Sequence, residues 1–467
     1  MTTSFGTRSR AVLAFLGSVG LALTLTVTAS PASAAGRTPT VPTDLFNSHK
    51  NCSTDADRPT YVSATAGLGV EGIPGTTDTA NNYLVTAQYR VWPVVSPSNV
   101  TTVTRLNALA GIEAPATLPA AALADGQTYA WQTQTVADGT ASDWSATCYV
   151  TIDNTPPVTM PAISSANYPP DVSNPGGAPA EFTLSAGGDD DVTGFEYAWL
   201  QPLPIIGIVN LGDHGIPQVV DPYSRPQYFM RADVPGGSAT VSLVPPSGSG
   251  PKTLWVRSLD RAFNTSQTTS YMFFVGPTVP SVTPAVPSPE FGEPTEFTLR
   301  PAPGLQSRNP VVSYSVETIG GQIYSKPVEV AAQTDGTAKV TVVLDGIYGE
   351  AVQVTSKSAD GWVSDMGRWS STYDTTPTVV SDVYPENGPG GGAGVPGSFT
   401  FTSKVKGVAS YTYSFNGGPE VTVTAGDDLS ASVDWIPATD GVYDLMVYAT
   451  TSSGTQLAPY EYYFTVN

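Results

Sequence analysis

The chain has 467 residues, with 20 basic residues against 40 acidic ones, a net charge of −20. A surface this negative repels nucleic acid, anionic lipid and acidic wall polymers, so nucleic-acid binding is excluded from its functions. Its 45 glycines and 42 prolines exceed average usage and are spread between strand-like segments along the chain, a pattern of many turns rather than disorder.

The N-terminus reads as a secretory signal peptide over residues 1–35. Arg8 and Arg10 give a positive start, Ala11 to Thr28 is almost unbroken apolar sequence, and Ala32-Ser33-Ala34 is a small-residue cleavage box. Cleavage is expected near Ala34/Ala35. A retained anchor fits less well, because Pro31 and the cleavage box follow the apolar run directly, and no Cys stands there for lipid attachment. No later stretch approaches the roughly 18 apolar residues a membrane span needs. The expectation is a secreted, extracellular protein with no membrane attachment after cleavage. Loss of the two arginines leaves 18 basic and 40 acidic residues, a net charge of about −22. About 430 residues remain, a length for roughly three or four domains.

Residues 36–58 read as an N-terminal linker and residues 59–154 as the first β-sandwich. Cys52 and Cys148 are the only cysteines. An even pair in an exported chain favours a disulfide over two free thiols, and with no clustered His it makes a poor metal pair. The bridge closes a loop of about 97 residues, worth on the order of 4 to 5 kcal/mol by the chain-entropy model. Asn107 to Ala124 is Ala-rich and looks helical, but Pro115 and Pro119 interrupt it, so it reads as loop. Trp92, Trp131 and Trp144 suit stacking on sugar rings, although a strand Trp in a sandwich more often belongs to the core.

Three further units follow: residues 155–276 with an insertion at 200–237, residues 277–374, and residues 375–467. Near-duplicate linkers, "DNTPP" at 153–157 and "DTTPT" at 374–378, with "VGPTVP" at 275–280 between them, each follow one strand and precede another. Proline just past a strand stops the ladder and stiffens the connection. Within the units "AEFTLS", "TEFTLR" and "GSFTFTS" alternate apolar with polar residues, the period-two mark of strands buried on one face. A penultimate strand and turn also recur: "QTYAWQTQTVADGTAS", "TLWVRSLDRAFNTS", "AVQVTSKSADGWVS" and "YDLMVYATTSSGTQ". Self-similarity at this period means an array of domains. The fold class is all-β, a tandem array of four sandwiches of the Ig-like or fibronectin type III-like kind.

The run "YAWQTQTVADGTASDWSATCYVTIDNTPP" resembles the fibronectin type III-like modules of actinobacterial secreted proteins. "LWVRSLDRAFNTS" resembles the "L-x-V-R-a-x-D-x-A-G-N-x-S" hairpin of bacterial Ig-like repeats. The resemblance covers essentially the whole mature chain and implies fold more than activity. Phe263 stands where the pattern has Gly, and the third and fourth units lack the Asp…Asn pair.

Candidate sites are few. Asp260 and Asn264 suit the mouth of a hairpin, since Asx side chains bond nearby amides, with Arg261 as a solvated or surface-paired charge. Asp189, Asp190 and Asp191 offer oxygens to Ca²⁺, but a hard cation needs about six to eight, and the EF-hand alternation is absent. The insertion is apolar for a loop. It either packs on a sandwich or presents an apolar, aromatic surface in which Tyr223, Tyr228 and Phe229, with Trp92 of the first unit, would meet a sugar or a partner protein. His49 and His214 fall in different units, and the hydrolase, zincin and P-loop motifs are absent. The expected function is a non-catalytic extracellular binding or spacer protein that engages polysaccharide or proteins through domain surfaces. The competing readings are a polysaccharide-active enzyme with an interdomain site and a structural component of an extracellular assembly.

Overall fold

The structure is a computed structural model that describes residues 37–78, 83–207, 209–212, 217–321 and 326–467. The expected signal peptide and His214 lie outside these residues. The chain divides into two compact units. Among the described residues, one holds residues 37–60 and Ala66–Thr151; the other holds Tyr61–Thr65, Ile152–Leu211 and Pro217–Asn467.

The first unit is built on two sheets. One has the order Lys50–Asn51, Pro39–Asn47, Leu68–Thr76, Ala116–Leu118. The other includes Cys148–Ile152, Thr128–Ala137, Leu84–Pro93 and Thr101–Leu109 in that order. Residues 36–58, expected as a linker, therefore contain a strand, Pro39–Asn47, which pairs antiparallel with Leu68–Thr76. Of its two prolines, Pro39 sits at the strand's first position and Pro42 falls at a register shift, and the two shifts break the alternation that would have marked it as a strand. The Asn107–Ala124 patch, expected as loop, holds the end of one strand, a second strand at Ala116–Leu118 and a 3₁₀ turn at Ala120–Ala122. The disulfide Cys52–Cys148 is formed, with a sequence separation of 96 residues.

The second unit contains three sandwiches of one plan. In the first of these, a sheet of Ala162–Ser164, Ala180–Ser185 and Ser238–Leu243 faces one ordered Ser173–Asn174, Thr269–Val275, Gly250–Leu259, Gly194–Ala198, Phe229–Arg231. The last sandwich repeats this with Thr378–Val380, Gly397–Thr402 and Ala431–Trp435 against Pro389–Gly390, Tyr460–Val466, Gly441–Thr451, Val408–Phe415 and Val421–Thr424. The middle one has three and four strands: Ser281–Pro284, Pro294–Arg300, Ala338–Val343 against Val328–Ala331, Val311–Ile319, Glu350–Ser358, Gly367–Ser371. In two of the three, a short early segment leaves the first sheet and pairs parallel with the last strand, Ser173–Asn174 on Phe274–Val275 and Pro389–Gly390 on Thr465–Val466. That exchange, with the three-against-five strand order, is Ig-like topology.

The alternation predicted from sequence decides the cores. Phe182 and Leu184, Phe297 and Leu299, and Phe399 and Phe401 point inward from corresponding strands and are fully buried. Each such side chain contributes on the order of 1.5 to 3 kcal/mol by leaving water. The insertion does not hang free: Phe229–Arg231 within it pairs with Gly194–Ala198 and completes a sheet. Among the described residues no helix is long and apolar enough to cross a membrane.

Candidate functional site

The hairpin that follows each penultimate strand is built the same way in all three sandwiches of the second unit. Isolated bridges join Leu259 to Thr265, Lys357 to Val363 and Thr450 to Gln456, the same six-residue span each time. In two of them a serine one position on closes the turn. The backbone N–H of Ser266 donates to the Ser258 carbonyl, while its hydroxyl accepts from Ser258 N–H and donates to the Gln267 carbonyl. Ser364 does the same with Ser356 and Asp365, and Ser145 repeats it in the first unit with Thr133 and Ala146.

These hairpins hold the linkers. Asp260, wholly buried, accepts from Asn264 N–H through Oδ1 and from Asn264 Nδ2 through Oδ2, both at 2.8 Å. The same Nδ2 donates to the Asp153 carbonyl in the linker, also at 2.8 Å. Arg261 donates to the Tyr61 hydroxyl at 2.8 Å. Phe263 adopts φ 75°, the left-handed conformation for which the Ig-like pattern carries Gly, and its ring meets Tyr223 edge-on at 6.4 Å. At the next junction Asp365 takes over: its carboxylate accepts from Ser249 N–H and hydroxyl at 2.8 and 3.0 Å, and from Thr278 N–H and hydroxyl at 2.7 and 3.0 Å. At the last, Thr375 donates to the Ile347 carbonyl and accepts from Ala458 N–H. The third and fourth units lack the Asp…Asn pair yet make the same clasp with other residues.

The two aspartates are tuned in opposite directions. Burial pushes the Asp260 carboxyl up to about 7, and the charges of Asp153 and Asp191 add to the rise against the two Asn264 hydrogen bonds. Burial also pushes Asp365 up, but its four hydrogen bonds outweigh it and hold the carboxyl below the usual range. Oxygens of Asp153, Asp191 and Asp260 lie within 4.8 Å of one another.

The acidic run expected to offer oxygens to Ca²⁺ does not converge as a set. Asp189 spends Oδ2 on Val158 and Thr159 N–H and Oδ1 on Asp191 N–H, so it pins a linker to a loop. Asp190 is exposed, and only Asp191 approaches the Asp153–Asp260 group. Of the proposed ligand surface, Phe229 is 1% exposed and lies in the core, with Arg225 over its ring at 4.7 Å. It failed as a surface residue because the insertion supplies a strand. Tyr223 is half-buried under Arg231, which also pairs with Asp221 at 2.7 Å. Tyr228 keeps 38% exposure. What the insertion exposes most is aliphatic: Leu200, Ile205 and Leu211, each above 75%. In the first unit Trp131 is core, while Trp92 and Trp144 are half-buried, with the Arg90 guanidinium 5.7 Å from one ring and 4.1 Å from the other.

Two carboxylates, Glu290 and Asp374, line a cleft of about 240 Å³ together with Phe291, Tyr373, Lys404 and Lys406. There Glu290 pairs with Lys406 and Asp374 with Lys404, so each acid faces a base. That pairing differs from the two facing carboxyls of glycosidase chemistry.

Fold and junctions together define a tandem array of Ig-like and fibronectin type III-like sandwiches whose hairpins clasp their linkers. No protein-family model matches the chain, and no curated protein does. Solved structures similar to it include the chicken CNTN1 FN1-FN3 domains, at 14% identity over 67% of this chain and 100% of that one, with a TM-score of 0.23. A Ca²⁺-stabilized adhesin with which an Antarctic bacterium binds ice is 16% identical, over 92% of this chain and 98% of that one, with a TM-score of 0.21. Fibronectin(III)-like modules of Clostridium thermocellum CbhA are 16% identical over 40% of this chain and 94% of theirs, with a TM-score of 0.17. The fold assignment rests on the strand pairing described above.

Proposed function

We propose that this is a secreted, non-catalytic extracellular protein that spaces and presents binding surfaces, engaging polysaccharide or other extracellular proteins through the faces of its sandwiches. The observation that carries the reading is the repeated clasp: at three linkers, buried or half-buried polar side chains are committed to holding the chain between domains. A spacer needs this, because a free linker would spread the positions of whatever the domains carry. The disulfide in the first unit fits an oxidising, extracellular setting. The Trp92–Arg90–Trp144 arrangement offers half-buried aromatic surface for a sugar ring, and Tyr228 is an exposed aromatic elsewhere. The ion-paired acids of the cleft between the third and fourth sandwiches weigh against an enzyme there.

A polysaccharide and extracellular-protein array, read with wild type and with Trp92→Ala/Trp144→Ala, tests this. Micromolar binding that falls at least about tenfold in the double variant supports presentation of a sugar-binding face. New reducing ends released from any arrayed polysaccharide would overturn the non-catalytic reading.

A further inference from the structure

In the first unit a histidine and two glutamates from separate segments converge. His49 sits in the two-residue turn between Pro39–Asn47 and Lys50–Asn51, where Asn47 pairs with Lys50. Glu71 lies on Leu68–Thr76, and Glu113 on the loop before Ala116–Leu118. One ligand atom from each falls within 4.8 Å of the others.

Local structure holds all three in place at a cost. Ser48 and His49 both take positive φ, 47° and 67°, a turn that usually recruits Asn-Gly because other side chains are strained there. The turn is tied to the next strand by Ser48 N–H to the Gly69 carbonyl and Gly69 N–H to the Ser48 hydroxyl, both at 3.0 Å. A Cβ on Gly69 would stand 2.9 Å from Glu71 Oε1, so a larger residue there would push that carboxylate aside. The loop bearing Glu113 is fixed by Ala114, whose N–H donates to the Gly72 carbonyl and whose carbonyl accepts from the buried Tyr89 hydroxyl.

Hydrogen bonding inside the cluster is incomplete. Among the described residues Glu71, with a side chain 3% exposed, accepts from the His49 backbone N–H at 3.3 and 3.1 Å. His49 Nδ1 lies 3.3 Å from Glu71 Oε2, an ion-pair contact, and Glu113 Oε1 is a buried atom with no hydrogen-bond partner among the described residues. A buried acceptor left unmet is costly. Two carboxylates and an imidazole nitrogen whose ligand atoms lie this close together are satisfied together by a divalent cation. The His49 side chain is 41% exposed, which leaves a path from solvent.

We propose that His49, Glu71 and Glu113 form a binding site for a divalent transition metal, with Zn²⁺ as the probe. One nitrogen and two carboxylate oxygens are a three-ligand set that zinc accepts, water filling the rest. The imidazole selects against Ca²⁺, which takes oxygen ligands. The site fastens the first hairpin to the body of its sandwich.

Isothermal calorimetry on the metal-stripped mature chain, without an affinity tag, tests the site with ZnCl₂ and CaCl₂. One Zn²⁺ per chain at micromolar affinity or tighter is expected, weakened at least about tenfold by His49→Ala and by Glu113→Gln. Circular dichroism verifies that Glu113→Gln, at a half-buried loop position, folds as the parent does. No Zn²⁺ binding at 100 µM (about 5 kcal/mol of binding free energy), Ca²⁺ binding in preference to Zn²⁺, or binding unchanged in both variants would each overturn the assignment. The first result would mean a plain His–Glu ion pair.

Discussion

Replacing Asp365 by alanine removes the clasp at the junction of the second and third sandwiches. Four acceptor contacts vanish: to the backbone N–H groups of Ser249 and Thr278 at 2.8 and 2.7 Å, and to both hydroxyls at 3.0 Å. The hydroxyls can rotate to water, so the backbone amides set the cost. Two charge-assisted hydrogen bonds at about 1.5 kcal/mol each give a loss of about 3 kcal/mol. Urea unfolding at pH 7 should show that loss as a lower midpoint for the transition involving these sandwiches. Arg368→Ala, at an exposed position of the third sandwich, should stay within about 0.5 kcal/mol of the parent. The folded carboxyl of Asp365 titrates below its unfolded value. Its stabilisation is therefore present above the unfolded pKa of about 3.9 and lost as pH falls through the folded one. The gap between parent and variant should close in acid. A loss below about 0.5 kcal/mol at pH 7, or a gap that does not narrow as pH falls below the unfolded pKa, would refute the clasp as an energetic feature.

Arg257→Ala strands Glu196, a fully buried carboxylate paired to that arginine across adjacent strands, and should cost about 3 to 5 kcal/mol in chemical denaturation. Asp260 gives the opposite pH signature to Asp365. With the folded carboxyl near 7 and the unfolded one near 3.9, stability is greatest in mild acid and falls by up to about 4 kcal/mol as pH rises from 4 to 7, then levels; Asp260→Asn should flatten that slope in a pH series of unfolding curves. Reducing Cys52–Cys148, whose partners are 96 residues apart, should lower the stability of the first unit by about 4 to 5 kcal/mol in calorimetry with and without reductant, leaving the second unit unchanged.

Strand alternation was the strongest signal in the sequence, and it located the corresponding inward pairs Phe182/Leu184, Phe297/Leu299 and Phe399/Phe401. It missed Pro39–Asn47 because two bulge-like shifts there destroy the period, and it missed Ala116–Leu118 because three residues are too short to show one. The polar cluster of "SLDRAFN" was legible as a turn, but its grip on Asp153 was not, since a tertiary hydrogen bond leaves no local pattern. Asp365 was hidden for a different reason: it stands one position past the serine that closes the hairpin, whereas Asp260 stands before the turn. The shared signal was the repeated "ADG" and "SD" of the first and third units, which marks the hairpin without showing what it touches. His49 looked isolated because its glutamate neighbours are 22 and 64 residues further along the chain, and only the pairing of Pro39–Asn47 with Leu68–Thr76 brings it to Glu71. Phe229 looked like a surface aromatic because its strand lies within an insertion, and its burial follows from pairing with Gly194–Ala198.

The central claim, that hairpin side chains hold the linkers, is tested most directly by amide hydrogen exchange at the clasp amides. Thr278 N–H on Asp365 and Ala458 N–H on Thr375 should be protected to nearly the level of the adjacent strands, and Asp365→Ala should release Thr278 while leaving Ala458 protected. Exchange at these two amides as fast as in an unstructured peptide would contradict the account.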